Sequence, residues 1–297
     1  MKQQLPGSGE KPLDRWLREL MPGKSWNEVR RLVRTGKIFV DGVALLDPVQ
    51  LVPAGAELEL RQNAPRATRT PSLPKSSILY LDAHLVVVDK PAGVSTVPYD
   101  ENERGTLDQL VMETISERGR RAPLGIVHRI DKETSGVVVF ARTTSAKLAL
   151  KNQFRFHTVG RLYIAMAHGA VRSATIRSRL VQDRGDGRRG STENEELGRE
   201  AITHVKSLEN LRGATLLECQ LETGRTHQIR IHLAERGHPL VGERVYSKNY
   251  RGTLIQAPRL MLHARELSFE HPATGKQLSF DQALPADMQA VLASLRA

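Results

Sequence analysis

The chain has 297 residues, long enough for one large domain plus a small one or for two of middling size. Its 44 Lys+Arg outweigh 33 Asp+Glu, and a net charge of +11 favours a polyanionic partner, since each cation placed on a phosphate releases a counterion. A single cysteine excludes an intramolecular disulfide, and the start of the chain lacks the apolar core of a signal peptide. Apolar runs fall well short of the roughly 20 residues of a membrane span, so a soluble, cytoplasmic, monomeric protein with no membrane contact is expected.

Residues 11–40 carry Lys11, Arg15, Arg18, Lys24, Arg30, Arg31, Arg34 and Lys37 against Asp14, Glu19 and Glu28. Leu13, Trp16, Leu17 and Leu20 fall on one helical face. A second helix opens at Ser25, where Glu28 completes a capping box, and closes near Gly36. Trp26, Val29, Leu32 and Val33 share its apolar side, which pushes Arg30, Arg31 and Arg34 towards solvent. Residues 37–40, the turn Asp41-Gly42 and residues 43–45 read as a hairpin, and residues 56–60 add a strand. Two helices followed by an Asp-Gly hairpin resemble the S-four RNA-binding fold. That resemblance implies a small RNA-binding module over residues 11–61, with Arg30, Arg31, Arg34 and Lys37 as candidate contacts. Residues 62–77 hold Pro65, Pro71 and Pro74 and no acid, the composition of a linker.

From residue 78 the texture changes. Residues 78–80 and 85–89 read as strands, Lys90-Pro91-Ala92-Gly93 as a turn, and residues 106–118 as a helix. A dense polar cluster, residues 128–135, separates the strand at 125–127 from a buried valine-rich strand at 136–142. Thr144 is read as the cap of a helix reaching about residue 157, and residues 160–167 form a strand. Residues 182–200, charged and glycine-rich, read as a mobile surface insertion. Strands at 205–208 and 214–222 follow, the latter placing Cys219 in an apolar run that suggests burial. Thr226 caps a helix that stops at Gly237, and residues 261–262 and 267–269 supply further strand. Many strands with few long helices indicate an α+β domain over residues 78–297, with a mixed, mostly antiparallel sheet and flanking helices.

The stretch His128-Arg129-Ile130-Asp131-Lys132-Glu133-Thr134-Ser135-Gly136 resembles the signature of the RluA-type pseudouridine synthases, with isoleucine in place of a leucine. Residues 221–232, from Leu221 through Gly224-Arg225-Thr226-His227-Gln228-Ile229-Arg230 to His232, match a second signature of that family. Lys90-Pro91-Ala92-Gly93, Arg161-Leu162-Tyr163 and Leu260-Met261-Leu262-His263-Ala264 match three more, in the family's order. The resemblance implies a pseudouridine synthase fold and the isomerisation of uridine within structured RNA. Large-subunit ribosomal RNA is the expected substrate and transfer RNA the alternative. No cofactor is needed, because cleaving the base, turning it and rejoining it through carbon involves no redox change, and no nucleotide-binding loop is present.

The same resemblance implies the site. Asp131 is the nucleophile, or the group that starts cleavage by removing a sugar proton, and Arg230 is the cation that keeps it ionised. Tyr163 stacks on the base and takes part in the late proton transfer, helped by Arg230. Arg129 fills the gap left by a flipped uridine, and His128, Arg225 and His227 are further RNA contacts. A metal bound by His128, His227 and His232 is rejected, since His227 and His232 are five apart and no further ligand completes a site. A glycoside-type hydrolase would need a second carboxylate, for which Glu133 is the only acid close in sequence. An RNA-binding protein with a dead catalytic domain is opposed by the intact Asp131, Tyr163 and Arg230 set.

Overall fold

The computed structural model describes residues 2–64, 73–100, 103–116 and 123–296, and the chain forms two compact units, Met1–Pro71 and Ser72–Ala297. The first unit runs β1 (Lys2–Gln4), β2 (Glu10–Pro12), α1 (Leu13–Leu20), α2 (Trp26–Arg34), β3 (Ile38–Val40), β4 (Val43–Ala44), β5 (Leu51–Pro53) and β6 (Glu57–Leu60). The Ser25 hydroxyl accepts the Glu28 N–H at 3.2 Å and the Glu28 carboxylate accepts the Ser25 N–H at 2.8 Å, so the capping box is closed. Asp41 and Gly42, at φ 48° and 79°, supply the left-handed pair that a two-residue hairpin demands. Leu13, Trp16, Leu17, Val29, Val33, Ile38 and Leu58 form the core. The sheet order is β1-β6-β3-β4, with β2 and β5 paired separately, so the module also draws in residues 2–4.

Two expectations about the basic helix change. Arg30 is not a free surface cation: its Nε donates to the buried Asp14 carboxylate at 2.8 Å. Trp26 leaves the apolar face and is 44% exposed, with the Arg18 and Arg30 guanidinium groups 5.5 and 5.4 Å from its ring. Arg31 and Arg34 are exposed as expected, while Lys37 donates to the Ala64 carbonyl. Of the expected linker, residues 65–72 lie outside the described residues. Leu73 is buried in the core of the second unit and Lys75–Ser77 form one turn of 3-10 helix, so this end of the linker is packed rather than free.

The second unit continues with β7 (Ile78–Leu81), β8 (Leu85–Lys90), α3 (Leu107–Ile115), β9 (Gly125–Ile126), β10 (Ser135–Ala141), α4 (Thr144–Arg155), β11 (Gly160–His168) and β12 (Ala174–Val181). It ends with β13 (Gly190–Thr192), β14 (Arg199–Leu211), β15 (Ala214–Leu221), α5 (Gln228–Glu235), β16 (Leu262–Glu270), β17 (Gln277–Asp281) and α6 (Ala286–Arg296). The strands form one mixed sheet in the order β13-β12-β14-β15-β11-β16-β10-β8-β7, with β9 on β10 and β17 on β16. Its pairings are antiparallel except that of β10 with β16. No described helix is long and apolar enough to cross a membrane.

The valine run of β10 is buried throughout because both faces of the sheet are covered. Val138 and Phe140 face the cluster that holds α3 and α5, whereas Val137, Val139 and Ala141 face α4. Three local expectations are corrected. Thr143, not Thr144, caps α4, accepting the Ala146 N–H. Thr226 caps nothing: His227, at φ 59°, precedes α5, and the Gln228 side chain accepts the Arg225 N–H and the Thr223 hydroxyl. Residues 182–200 are not a loose insertion but a hydrogen-bonded extension of the sheet. There β13 pairs with β12, the Asp183 carboxylate accepts the Gly185 and Gly187 N–H groups, and Glu235 accepts the Ser191 N–H. Backbone pairing orders this segment without apolar residues.

The parallel pair brings Gly136, at φ 115°, so close to β16 that a Cβ would lie 2.1 Å from the Ala264 carbonyl oxygen. Gly136→Ala is therefore expected to destabilise the second unit by about 4 kcal/mol or more. Gly93→Ala, at φ 81° but with open space around it, should cost only about 1–3 kcal/mol. Urea unfolding compares the two, and equal losses would refute the close-approach explanation.

Candidate active site

Between β9 and β10 the chain leaves the sheet, and residues 127–134 form a loop over it. Ile130 anchors this loop: its side chain is buried, its carbonyl accepts the Thr96 hydroxyl at 2.8 Å and its N–H donates to the same hydroxyl at 3.2 Å. The next carbonyls are held by buried cations. Lys90 Nζ, wholly buried, donates to the Lys132, Val94 and Pro91 carbonyls at 3.0, 2.7 and 3.0 Å. Burial pulls the Lys90 pKa down to about 7, with the Asp131 and Glu133 carboxylates working to raise it. Arg259, paired with Asp287, reaches the Glu133 carbonyl at 3.3 Å and the Ser135 hydroxyl at 3.2 Å.

So held, Asp131 faces a cavity of about 390 Å³ that is also lined by Arg129, Tyr163, Arg225, His227 and Arg230. Arg230 projects from α5 and donates through Nη1 to Asp131 Oδ2 at 3.1 Å, the pairing that the sequence implied. Its other edge makes a bidentate pair with Glu243: Nε to Oε2 at 2.7 Å and Nη2 to Oε1 at 2.8 Å. The Glu243 side chain has no exposed surface. Burial opposes both charges, yet the pair outweighs it, holding Glu243 below the ordinary carboxylate pKa and Arg230 above that of a free arginine.

Tyr163 sits on β11 with Arg161 and Ala165 on its side of the sheet, while Ile164 and Met166 pack on the other, as the alternation predicts. Burial pushes its phenol up to about 12, partly offset by the Arg161 charge. Arg161, two residues earlier on the strand, is the cation that offsets this shift. Arg161 is itself buried and donates through Nη2 to the Glu222 carbonyl at 2.6 Å.

The histidines divide by role. His128 lines the cavity: its ring stacks on Phe154, its Nε2 accepts the Val139 N–H, and burial lowers its pKa to about 3. His227 stands over Asp131, with Nε2 3.8 Å from Oδ1 and Nδ1 hydrogen-bonded to the Tyr246 hydroxyl at 2.7 Å. Burial lowers its pKa too, against the pull of Asp131. His232 is a core residue bonded to Thr203 and Ser178. Arg129 is exposed at the cavity rim, and Arg225 is half-buried there with Nε on the Glu200 carbonyl. Arg30, Arg31, Arg34 and Lys37 belong to the first unit. Sequence reasoning missed Glu243, Tyr246 and the anchoring role of Lys90. Glu243 sits in a polar turn, Gly242-Glu243-Arg244, that looks like surface until its partner thirteen residues away is known.

The chain matches the RNA pseudouridylate synthase family over residues 84–235 and the S4 domain over residues 11–58. It is 35% identical to "Ribosomal large subunit pseudouridine synthase D" of Pseudomonas aeruginosa, covering 97% of this chain and 93% of that protein. It is also 35% identical to "Uncharacterized RNA pseudouridine synthase YlyB" of Bacillus subtilis, covering 96% and 94%. Among solved structures, "Human RNA Pseudouridylate Synthase Domain Containing 4" superposes with a TM-score of 0.61 at 25% identity, over 74% of this chain and 93% of that one. Fold and matches together define an RNA-modifying isomerase. The chain belongs to the RNA pseudouridylate synthase family.

Glu243→Gln should lower unfolding free energy by about 3 kcal/mol, because it leaves a buried guanidinium half-paired. It should also slow uridine isomerisation by at least about tenfold as Arg230 loses its orientation. A shift in urea midpoint at constant slope reads the first effect and single-turnover kinetics the second. A variant matching wild type in both would show that the pair does not organise the site.

Proposed function

We propose that the chain converts uridine to pseudouridine in large-subunit ribosomal RNA, with Asp131 as nucleophile. The observation that carries this reading is the Asp131–Arg230–Glu243 chain at the cavity, one carboxylate aimed at the substrate and one buried behind its arginine. Asp131 Oδ forms a bond to C1′ of the ribose while the bond from C1′ to N1 of the base breaks, and the electron pair departs with the base. The base turns, its C5 bonds to C1′ as the ester to Asp131 breaks, and the proton on C5 is lost while N1 gains one. No external donor is required. Glu133 does not serve as a hydrolase's second carboxylate in this scheme, since its side chain is exposed and its carbonyl is the group held by Arg259.

Reaching the base requires a uridine turned out of its stack. Arg129, exposed at the rim next to Asp131, suits the vacated space. Tyr163 offers its ring to the base. Because its phenol stays protonated at neutral pH, its hydroxyl acts as a relay that accepts one proton while passing on another. The basic residues Arg31 and Arg34 of the first unit are exposed to hold phosphates elsewhere on the RNA. Ribosomal RNA is favoured over transfer RNA by the names of the full-length relatives, and such a substrate places the reaction in the cytoplasm.

Asp131→Asn, isosteric but uncharged, should abolish isomerisation of a large-subunit ribosomal RNA transcript and leave RNA affinity unchanged. Turnover within about tenfold of wild type would end the assignment of Asp131. Product on transfer RNA transcripts alone would overturn the substrate, and free uracil would indicate a hydrolase. Tyr163→Phe should bind RNA within about threefold of wild type, since stacking worth roughly 1–3 kcal/mol per base is kept. Its yield of finished pseudouridine should fall sharply, and a wild-type single-turnover rate would reduce Tyr163 to a stacking surface.

A further inference from the structure

Arg161 is a buried cation without an anion. Only 8% of it is exposed, it lines the same cavity as Asp131, and no carboxylate lies within ion-pair distance of it among the described residues. A guanidinium has five N–H donors. Here one hydrogen bond is made, from Nη2 to the Glu222 carbonyl, and Nε is buried with no partner at all. Its neighbours compensate only weakly: the Phe154 ring offers a cation–π contact at 5.7 Å, near the outer limit for such contacts, and the cationic Arg225 opposes the charge. Nη1 lies against Gly224, where a Cβ would come within 2.4 Å of it, so the glycine leaves room for this side chain. Burying an unpaired cation is costly, and such groups are retained where a ligand or transition state supplies the missing charge.

The reaction proposed above supplies that charge, and the inference rests on that reading. Before cleavage the negative charge is on Asp131, where Arg230 meets it. When the N1–C1′ pair departs with the base, Asp131 becomes a neutral ester and the uracil becomes an anion, its charge spread over N1, O2 and O4. The charge has left Arg230. It arrives on a ring that stacks at Tyr163, two residues along β11 from Arg161 and on the same face of the strand. A phosphate is the poorer fit, because the exposed Arg129 at the rim is the more accessible cation for a backbone phosphate, whereas Arg161 is buried in the wall. We propose that Arg161 is a catalytic residue that stabilises the detached uracil anion. When C5 rejoins C1′ the charge returns to Asp131, and Arg161 is again unpaired.

The test compares large-subunit ribosomal RNA transcribed with uridine and with 5-fluorouridine, whose fluorine stabilises the departing base anion on its own. The fluorine blocks the final proton loss, so the readout on both transcripts is single-turnover loss of the N-linked nucleoside. Arg161→Met should slow the uridine transcript by about 100-fold, the scale for removing one donor to a developing anion. It should slow the fluorinated transcript at least about tenfold less, with RNA affinity within about threefold of wild type. Arg161→Lys keeps the charge and should stay within about tenfold of wild type on uridine. Equal slowing on the two transcripts, or none, would overturn the proposal and leave Arg161 a structural residue. If Arg161→Met does not fold, a lysine variant slowed equally on both transcripts is the overturning result. Wild-type protein inactive on this RNA but active on transfer RNA refutes the substrate assignment alone, and the two bases are then compared on transfer RNA.

Discussion

A buried ion pair, Arg230 with Glu243, is the constraint on which the site is built. A guanidinium facing a lone aspartate across a water-filled cavity would be free to swing. Glu243 grips two of its nitrogens from behind, at 2.7 and 2.8 Å, and leaves a third for Asp131. The grip depends on α5 starting abruptly. The left-handed His227 turns the chain, Gln228 ties the turn to Thr223 and to the backbone of Ile202, and Arg230 emerges inward while Ile229 and Leu233 enter the core.

Against this fixed arginine the aspartate must also be fixed, and the loop that carries it has little apolar surface to pack. Ile130 and the Thr96 clamp secure one side, and Lys90 and Arg259 secure the other. Cations in a protein interior are expensive unless their hydrogen bonds are satisfied. Lys90 meets that condition with three carbonyls, and Arg259 with Asp287 and several main-chain oxygens. Arg161 does not, and the contrast with the buried cations Lys90, Arg259 and Arg230 marks it out.

Local signals were readable in the sequence where local physics decides the outcome. The Ser25–Glu28 capping box, the Asp41-Gly42 turn and the all-buried valine strand each follow from residue type and spacing. The motif residues Asp131, Tyr163, Arg129, Arg225 and Arg230 do line one cavity. What could not be read depends on distant partners. Thr226 looks like a cap, but α5 starts at the left-handed His227 without a side-chain cap, and Gln228 instead ties the turn to Thr223 and Ile202. The polar segment 182–200 looks loose because its order comes from backbone pairing, to which composition is blind. Arg30 looks solvated because Asp14, sixteen residues away, is its partner. Glu243 carries no motif at all.

The clamps on the Asp131 loop grip carbonyl oxygens, at Lys132 and Glu133, and not the side chains of those residues, which are exposed. A carbonyl is the same whatever amino acid bears it. The side chains at positions 132 and 133 can therefore be exchanged at the bench while the carbonyls that hold the Asp131 loop stay in place.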